Sequence, residues 1–389
     1  MKNINFSRVF IGVFVFILIW PIIFYIFFGY FLDWRYFREF NFRDFYSGEY
    51  QEYFSNYFKD RLPIYSRMAS LKPNADVLTG QAVSNGVFLQ EKELIKIHKL
   101  PSNKKLGLFC DIVNNFAKNV KIPIFYLIIP SKFQVNGSSF NFYSEYEMRR
   151  DIKMFFNNNL NFDVVGLDDA VLFENSKEIN SFYRTSSKIN SMGAYLLYKS
   201  NMKKLGQDAI DLQHFKIFNV VDSYYGELFS KNFIKRVYPD VVDVFKYVKK
   251  NVKFNVEEVF NNGSVKRRNT IYDISKVDDF NKLNLVFGSN APMKKVETNL
   301  KGKEHILIFA DDFINNFMQF LSLHYRKITV VNLYEMLYAK NSVQKRIYDI
   351  NLGNYDKILL IYGLESLNLD EQFQNLKFFK NYSLKNMRW

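Results

Sequence analysis

Hydrophobic and polar positions alternate along this chain with two different periods, and the switches between them mark out its elements. The first is an unbroken apolar run from Val9 to Leu32, longer than the roughly 20 residues a helix needs to cross the hydrocarbon core of a bilayer. It predicts one membrane span over 9–32, kinked at Pro21, where the ring removes a backbone donor. Gly29-Tyr30-Phe31 offers no small-x-small cleavage pattern, so the run reads as a retained anchor, preceded by a short tail at 1–8. Residues 33–72 are aromatic and charged, with apolar residues at helical spacing between Tyr50 and Phe58, and read as a helical lead-in.

Beyond Pro73, Thr79-Gly80 and Asn85-Gly86 signal turns, with short strands expected from Gly86 to Leu89. Helices then alternate with buried strands. Leu106, Phe109, Cys110, Val113 and Phe116 share one face of a helix from Lys105 to Val120. The continuous apolar run Ile122 to Ile129, stopped by Pro130, is a strand buried on both faces. Helices at Glu145 to Asn157, Leu167 to Asn175 and Ser191 to Leu205 and a strand at Phe162 to Gly166 continue the pattern. Near the end, strands at His305 to Phe309, Ile328 to Val331 and Lys357 to Tyr362 alternate with helices at Ile314 to Tyr325 and Val343 to Asp349. This order predicts an α/β domain over 73–370 with a mostly parallel sheet flanked by helices. Within it, about 215–286 reads as a strand-poor, irregular, basic insertion, and 371–389 as a basic aromatic tail.

With 389 residues, 48% of them hydrophobic, the chain buries a full core and is not disordered throughout. Its net charge of +14 arises from 53 basic residues mixed with 39 acidic ones. The densest basic stretch runs from Lys231 through Lys249-Lys250 to Lys266-Arg267-Arg268 with Tyr and Phe interleaved. It reads first as a solvated face and second as a contact for anionic lipid or an acidic polymer; no nucleic-acid module accompanies it. Lys2 and Arg8 on one side of the apolar run face Arg35, Arg38 and Arg43 on the other, so charge leaves the orientation open. The lone Cys110 excludes an internal disulfide, and no pair of histidines has zinc-ligand spacing. No metal or cofactor is expected.

Ligands of such sheets bind beyond the carboxyl ends of the strands. Ala310-Asp311-Asp312-Phe313 lies at such an end, just before a helix. A second segment reads Tyr183-Arg184-Thr185-Ser186-Ser187-Lys188-Ile189, followed by Ser191-Met192-Gly193-Ala194-Tyr195. Together these resemble the DHHW family of bacterial exported proteins, relatives of the SGNH-type alginate O-acetylation proteins. There, a Tyr-Arg-Thr-Asp-His-His-Trp run precedes a Gly-Ala-Tyr helix, and an Asp-Ser-Tyr/Phe turn opens a helix ending Phe-Leu-x-x-His-Tyr, matched here by Phe320-Leu321-Ser322-Leu323-His324-Tyr325. Further matches are Ser84 to Leu89, Tyr126 to Lys132, Tyr224-Tyr225-Gly226 and Phe287-Gly288-Ser289-Asn290-Ala291-Pro292. The similarity runs from about Phe54 to Leu367.

The resemblance implies an SGNH-hydrolase-like domain in which serine attacks an ester, histidine takes its proton and aspartate orients the histidine. Carried onto this chain, the nucleophile position is Asp312, the aspartate position Ser186 and the base position Ser187, so the triad is not intact. Serine accepts no proton at neutral pH, and a carboxylate attacking an ester would form a high-energy anhydride. His324, twelve residues past Asp312 on the following helix, lies roughly 18 Å off at about 1.5 Å per residue. His305 starts the strand whose far end carries the loop, roughly 15 to 20 Å away; His98 and His214 sit in unrelated segments.

Two readings of the acidic pair stay open. In one, Asp311 holds a hydrogen bond within the turn and Asp312 caps the helix near Ile314; in the other, both bind a cation or a substrate hydroxyl. The candidate ligand-binding residues are Asp311, Asp312, Arg184, Lys188, Gly288 and Asn290. The expected protein is a membrane-anchored, single-pass, extracytoplasmic pseudoenzyme whose partner is an envelope polysaccharide or membrane acylation machinery. The alternatives are an esterase or transferase with a rearranged site using Asp312 or Ser187, and a structural protein whose cleft is filled by Phe313 and Tyr183.

Overall fold

The structure, a computed structural model, describes residues 83–379 except 85, 98–99, 137–144, 177, 233, 235 and 280, together with 15–16 and 19–20. The expected span at 9–32 and the lead-in at 33–72 therefore lie outside the described residues, apart from those four. Among the described residues no helix is long and apolar enough to cross a membrane.

Three short strands come first, β1 (Val83–Ser84), β2 (Val87–Gln90) and β3 (Glu93–Lys96), paired as an antiparallel meander. The β2–β3 turn puts Glu91 and Lys92 at φ of 46° and 69°, the left-handed pair that a two-residue hairpin loop requires. The main sheet follows, built from β4 (Ile124–Ile129), β5 (Val164–Gly166) and later strands. Between them the chain forms a separate two-stranded ribbon of β6 (Phe215–Tyr224) and β7 (Asp240–Tyr247). It then returns with β8 (Phe254–Val259), β9 (Val265–Arg268), β10 (Met293–Thr298), β11 (His305–Ala310), β12 (Lys327–Val331) and β13 (Lys357–Gly363). The eight-stranded order is β5-β4-β13-β11-β12-β10-β8-β9. Neighbours from β5 to β12 run parallel, while β10, β8 and β9 attach antiparallel, so the sheet is mixed.

The continuous apolar runs of the central strands follow from this position. Ile306, Ile308 and Ala310 of β11 face one core, and Leu307 and Phe309 face a second core on the other side. The second core is covered by α1 (Asn103–Asn119), by α2 (Glu145–Asn159) through Phe156, and by residues 341–348 through Val343 and Ile347. The first is covered by α3 (Ser191–Asn201) and α4 (Ile314–Leu321), every residue of which is buried. Both faces being covered, alternation with polar residues has no place in these strands.

Two expectations are corrected. The segment 215–286 is not strand-poor: it holds β6 to β9. These strands are half exposed and end a sheet or stand in a ribbon, so sequences such as Phe-Asn-Val-Glu-Glu-Val and Val-Lys-Arg-Arg mix apolar and charged positions and lack the apolar runs of the central strands. Gln319 on α4 accepts from the Phe245 amide at 2.7 Å, which ties the ribbon to the core. The domain also extends beyond residue 370. Phe373, Leu376 and Phe379 are buried in the second core, with ring centroids of Phe109 and Phe373 5.0 Å apart and of Phe309 and Phe379 4.9 Å apart.

Helix α3 begins where Asn190 accepts from the Gly193 amide at 2.8 Å. A Cβ on Gly193 would lie 2.3 Å from the carbonyl oxygen of Ser181, a backbone atom held by the Asn190 amide at 3.0 Å. Gly193→Ala is therefore expected to destabilise the protein by about 1–3 kcal/mol, the usual cost of overpacking, read as a lowered denaturation midpoint with an unchanged slope.

Candidate functional site

The site forms where β11 and β13 end side by side. Asp311, the first residue past β11, turns its carboxylate toward the neighbouring strand: one oxygen accepts from the Gly363 amide at 2.8 Å and from Ser366 Oγ at 2.6 Å, the other from the Phe313 amide at 3.0 Å. Burial and the adjacent Asp312 push its pKa up to about 6 against the pull of Lys188. Phe313 is packed over Gly363, where a Cβ would approach its ring to 2.5 Å.

Asp312 does not cap α4. No side chain caps that helix, and the Asp312 carboxylate instead pairs with Lys188 Nζ at 2.6 Å. Lys188 also lies 4.3 Å above the Phe313 ring. Burial pulls the Lys188 pKa down, but Asp312 and Asp311 more than reverse it and keep the ammonium charged. The pair joins residues 124 positions apart.

The loop carrying Lys188 is held from beneath by two buried charges. Asp240, at the start of β7, accepts from the amides of Arg184 (2.5 Å) and Thr185 (2.8 Å) and from Thr185 Oγ1 (2.5 Å). Burial raises the Asp240 pKa and these donors oppose the rise. Lys132, 1% exposed, donates to the carbonyls of Leu94, Tyr183 and Arg184 and pairs with Glu93 at 2.9 Å. Its pKa is lowered by burial, with Glu93 acting in the opposite direction. Gly226 packs beneath, donating to Thr185 Oγ1 at 2.8 Å, in a space where a Cβ would strike Ser186 Cβ at 2.7 Å.

The sequence-derived residues separate accordingly. Ser186 is fully buried and accepts from the Lys188 amide at 3.1 Å. Ser187 donates both its amide (2.8 Å) and its hydroxyl (2.6 Å) to Glu227 Oε1. The Arg184 side chain is exposed; its backbone makes the contacts. Gly288, at φ +80°, lies over Glu258, whose carboxylate a Cβ would meet at 1.9 Å. Beneath it Lys294 donates to the carbonyls of Phe287 (2.8 Å) and Gly288 (3.3 Å), and burial pulls its pKa down to about 7 despite Glu258. Asn290 lines a void of about 10 Å³ with Asp311, Asp312 and Asn315.

Above the pair is a cleft of about 280 Å³ walled by Lys188, Glu227, Asn284, Asp312, Phe313 and Asn315, among others. Phe313 forms a wall of it, while Tyr183 is buried in the first core, so these rings do not fill it. His324 is buried, with its Nε2 2.7 Å from Tyr198 Oη; burial lowers its pKa to about 4. Among the described residues no three His, Cys, Asp or Glu side chains converge as a metal site. Glu227, Asp240 and Lys132 are the site residues that sequence reasoning missed. Glu227 directly follows the Tyr224-Tyr225-Gly226 match, the one local signal available.

A family model described as DHHW protein matches residues 37–331. Among solved structures, the fold is similar to a DHHW family protein from Eubacterium siraeum, with a TM-score of 0.61 at 17% identity over 77% of this chain and 98% of the other. It is also similar to Bacillus cereus PatB1 with a sulfonyl adduct, with a TM-score of 0.56 at 16% identity over 72% of this chain and 95% of that one. A looser likeness, TM-score 0.43 at 11% identity over 75% and 99% of the two chains, is to the O-acetyltransferase domain of Pseudomonas putida AlgJ. No curated protein matches the chain.

The raised pKa of Asp311 has a definite sign in stability. Between the unfolded value, about 3.9, and about 6 in the folded protein, the folded state holds more protons than the unfolded one. Stability contributed by this group is thus full below pH 4 and lost as pH rises to 6. Denaturant titrations at pH 4, 5, 6 and 7 are expected to show the wild type losing stability over this window relative to Asp311→Asn.

Proposed function

This chain belongs to the DHHW family, and from that membership we propose that it is a membrane-anchored, extracytoplasmic SGNH-like protein that has lost acyl-ester chemistry and binds an envelope glycan through its cleft. The observation that carries this reading is the occupation of the three catalytic positions. Ser186, Ser187 and Asp312 stand where the family resemblance puts aspartate, base and nucleophile, and Asp312 is neutralised by Lys188 at 2.6 Å. A carboxylate so paired attacks no ester, and removing the nucleophile or the base of a serine triad costs roughly a millionfold in rate. The open cleft, walled by amide and charged side chains together with apolar ones such as Ile189, Leu283 and Phe313, supports binding as the retained role. The apolar run 9–32 supplies the anchor, and the polysaccharide O-acetylation theme comes from the family resemblance.

A second reading has one observation in its favour. Ser187 Oγ donates to Glu227 at 2.6 Å, which resembles a nucleophile with a base and would make the protein an esterase or transferase with a rebuilt site. A glutamate carboxylate is roughly two pKa units less basic than an imidazole, so the dyad is the weaker hypothesis.

Acetyl release and transfer by the full chain on acetylated envelope glycan, with Asp312→Ala and Ser187→Ala alongside, decides between them. The expected result is no turnover in any of the three; turnover that vanishes in Ser187→Ala would establish the rebuilt site. Cell fractionation tests the anchor: the full chain is expected in the membrane fraction, and deletion of 9–32 is expected to release it.

A further inference from the structure

The charges and amides that face the cleft differ from those of an anion site. The Lys188 ammonium is spent on Asp312 at 2.6 Å, and the buried Lys132 behind the loop on Glu93 at 2.9 Å. Asp240 stands beside the same loop with amide and hydroxyl donors but no ion pair among the described residues. Glu227 is the acid that reaches the cleft unpaired: Ser187 occupies its Oε1, and its Oε2 takes no hydrogen bond among the described residues. Acids outnumber bases around the opening.

The neutral lining combines apolar side chains, Ile189, Leu283 and Phe313 among them, with asparagine amides. Asn315 is only 8% exposed, yet its side chain makes no hydrogen bond among the described residues, and it borders both the cleft and the small void beside Asp312. Its amide atoms are not among the buried ones that lack a partner, so water reaches them from the cleft and a ligand hydroxyl can take that water's place without breaking a protein hydrogen bond. Asn284, half-buried and also lining the cleft, likewise makes no side-chain hydrogen bond among the described residues. At about 280 Å³ the cleft accommodates one pyranose ring and its substituents.

We propose that this cleft recognises a glycan unit bearing a free amine, a de-N-acetylated hexosamine, with its ammonium on Glu227 and its hydroxyls on Asn315 and Asn284. The inference rests on the glycan-binding reading and adds to it the chemical class of the sugar. A charge-assisted hydrogen bond is about twice as strong as a neutral one, so the amine sets the preference while the amides accept any sugar of the right size. An N-acetyl group abolishes the charge and enlarges the substituent, and is disfavoured on both counts.

Ligand-observed NMR titrations of the full chain in detergent micelles with glucosamine, N-acetylglucosamine and glucose test this. Glucosamine is expected to bind roughly tenfold more tightly than the other two, with the advantage shrinking as salt is raised. Glu227→Gln keeps an oxygen to accept from Ser187 and is expected to abolish the preference for glucosamine over glucose, read as the ratio of the two dissociation constants. Equal binding of all three sugars by the wild type would overturn the amine preference and leave glycan binding standing. A preference that persists in Glu227→Gln would overturn the assignment to that carboxylate. Binding of none would overturn both this inference and the reading beneath it. The comparison within the wild type holds however the variant folds.

Discussion

The site depends on how the loop Tyr183 to Lys188 satisfies its backbone. Its strand-like contacts among the described residues are the isolated bridge Phe182 to Ile189 that flanks it and the Leu94 amide of β3, which donates to the Arg184 carbonyl at 2.8 Å. Buried amides and carbonyls that pair with no strand must find other partners. Here the carboxylate of Asp240 takes the donors of Arg184 and Thr185, and the ammonium of Lys132 takes the acceptors of Tyr183 and Arg184. Both groups are buried, and removing one partner of such a cluster strands a charge at a cost of about 3–5 kcal/mol. This clamp explains why the ribbon β6–β7 belongs to the site: it delivers Asp240.

What the clamp positions is a pair of modest energy. Lys188 and Asp312 are each 29% exposed, and ion pairs open to solvent contribute about 0–1 kcal/mol. The pair therefore matters less as a fastener than as an occupant. It places a paired carboxylate just before the helix beyond β11, at the point where the resemblance puts a neutral hydroxyl, with the Lys188 ammonium beside it. The strong constraints lie one layer below, in Asp311 bridging β11 to β13 and in Phe313 wedged over Gly363.

These two layers differ in how far the sequence revealed them. The strands from Ile124 to Ile129, His305 to Ala310 and Lys357 to Gly363 were legible because burial on both faces leaves an apolar run that no other local pattern imitates. Strands β6 to β9 were not, because an edge or ribbon strand needs only one apolar face and tolerates Lys and Glu on the other. Periodicity is a local signal, whereas Lys188 meets Asp312 across 124 residues and Thr185 meets Asp240 across 55. The Asp312 carboxylate illustrates the limit: position just before a helix suggests a cap, whereas Lys188, a candidate in its own right, takes it through a pairing that no local pattern shows.

The segment around Phe287, which lines the small void beside Asp312, is held as firmly as the loop Tyr183 to Lys188. Phe287 has φ of +68°, a conformation that costs a non-glycine residue about 1–3 kcal/mol. It is kept there by its amide on Ile271 O, by Lys294 beneath its carbonyl and ring, and by the ion pair of Arg268 with Glu258 at 2.5 Å, against which Gly288 fits without room for a side chain. Strain of this size persists only where the surroundings over-determine it. The surroundings of that void are thus firmly held, while in the adjoining cleft Asn315, Asn284 and the outer oxygen of Glu227 carry no protein hydrogen bond among the described residues. Polar side chains presented from a firmly held frame let a bound molecule gain affinity at a small ordering cost, which is what the proposed binding role asks of this cleft.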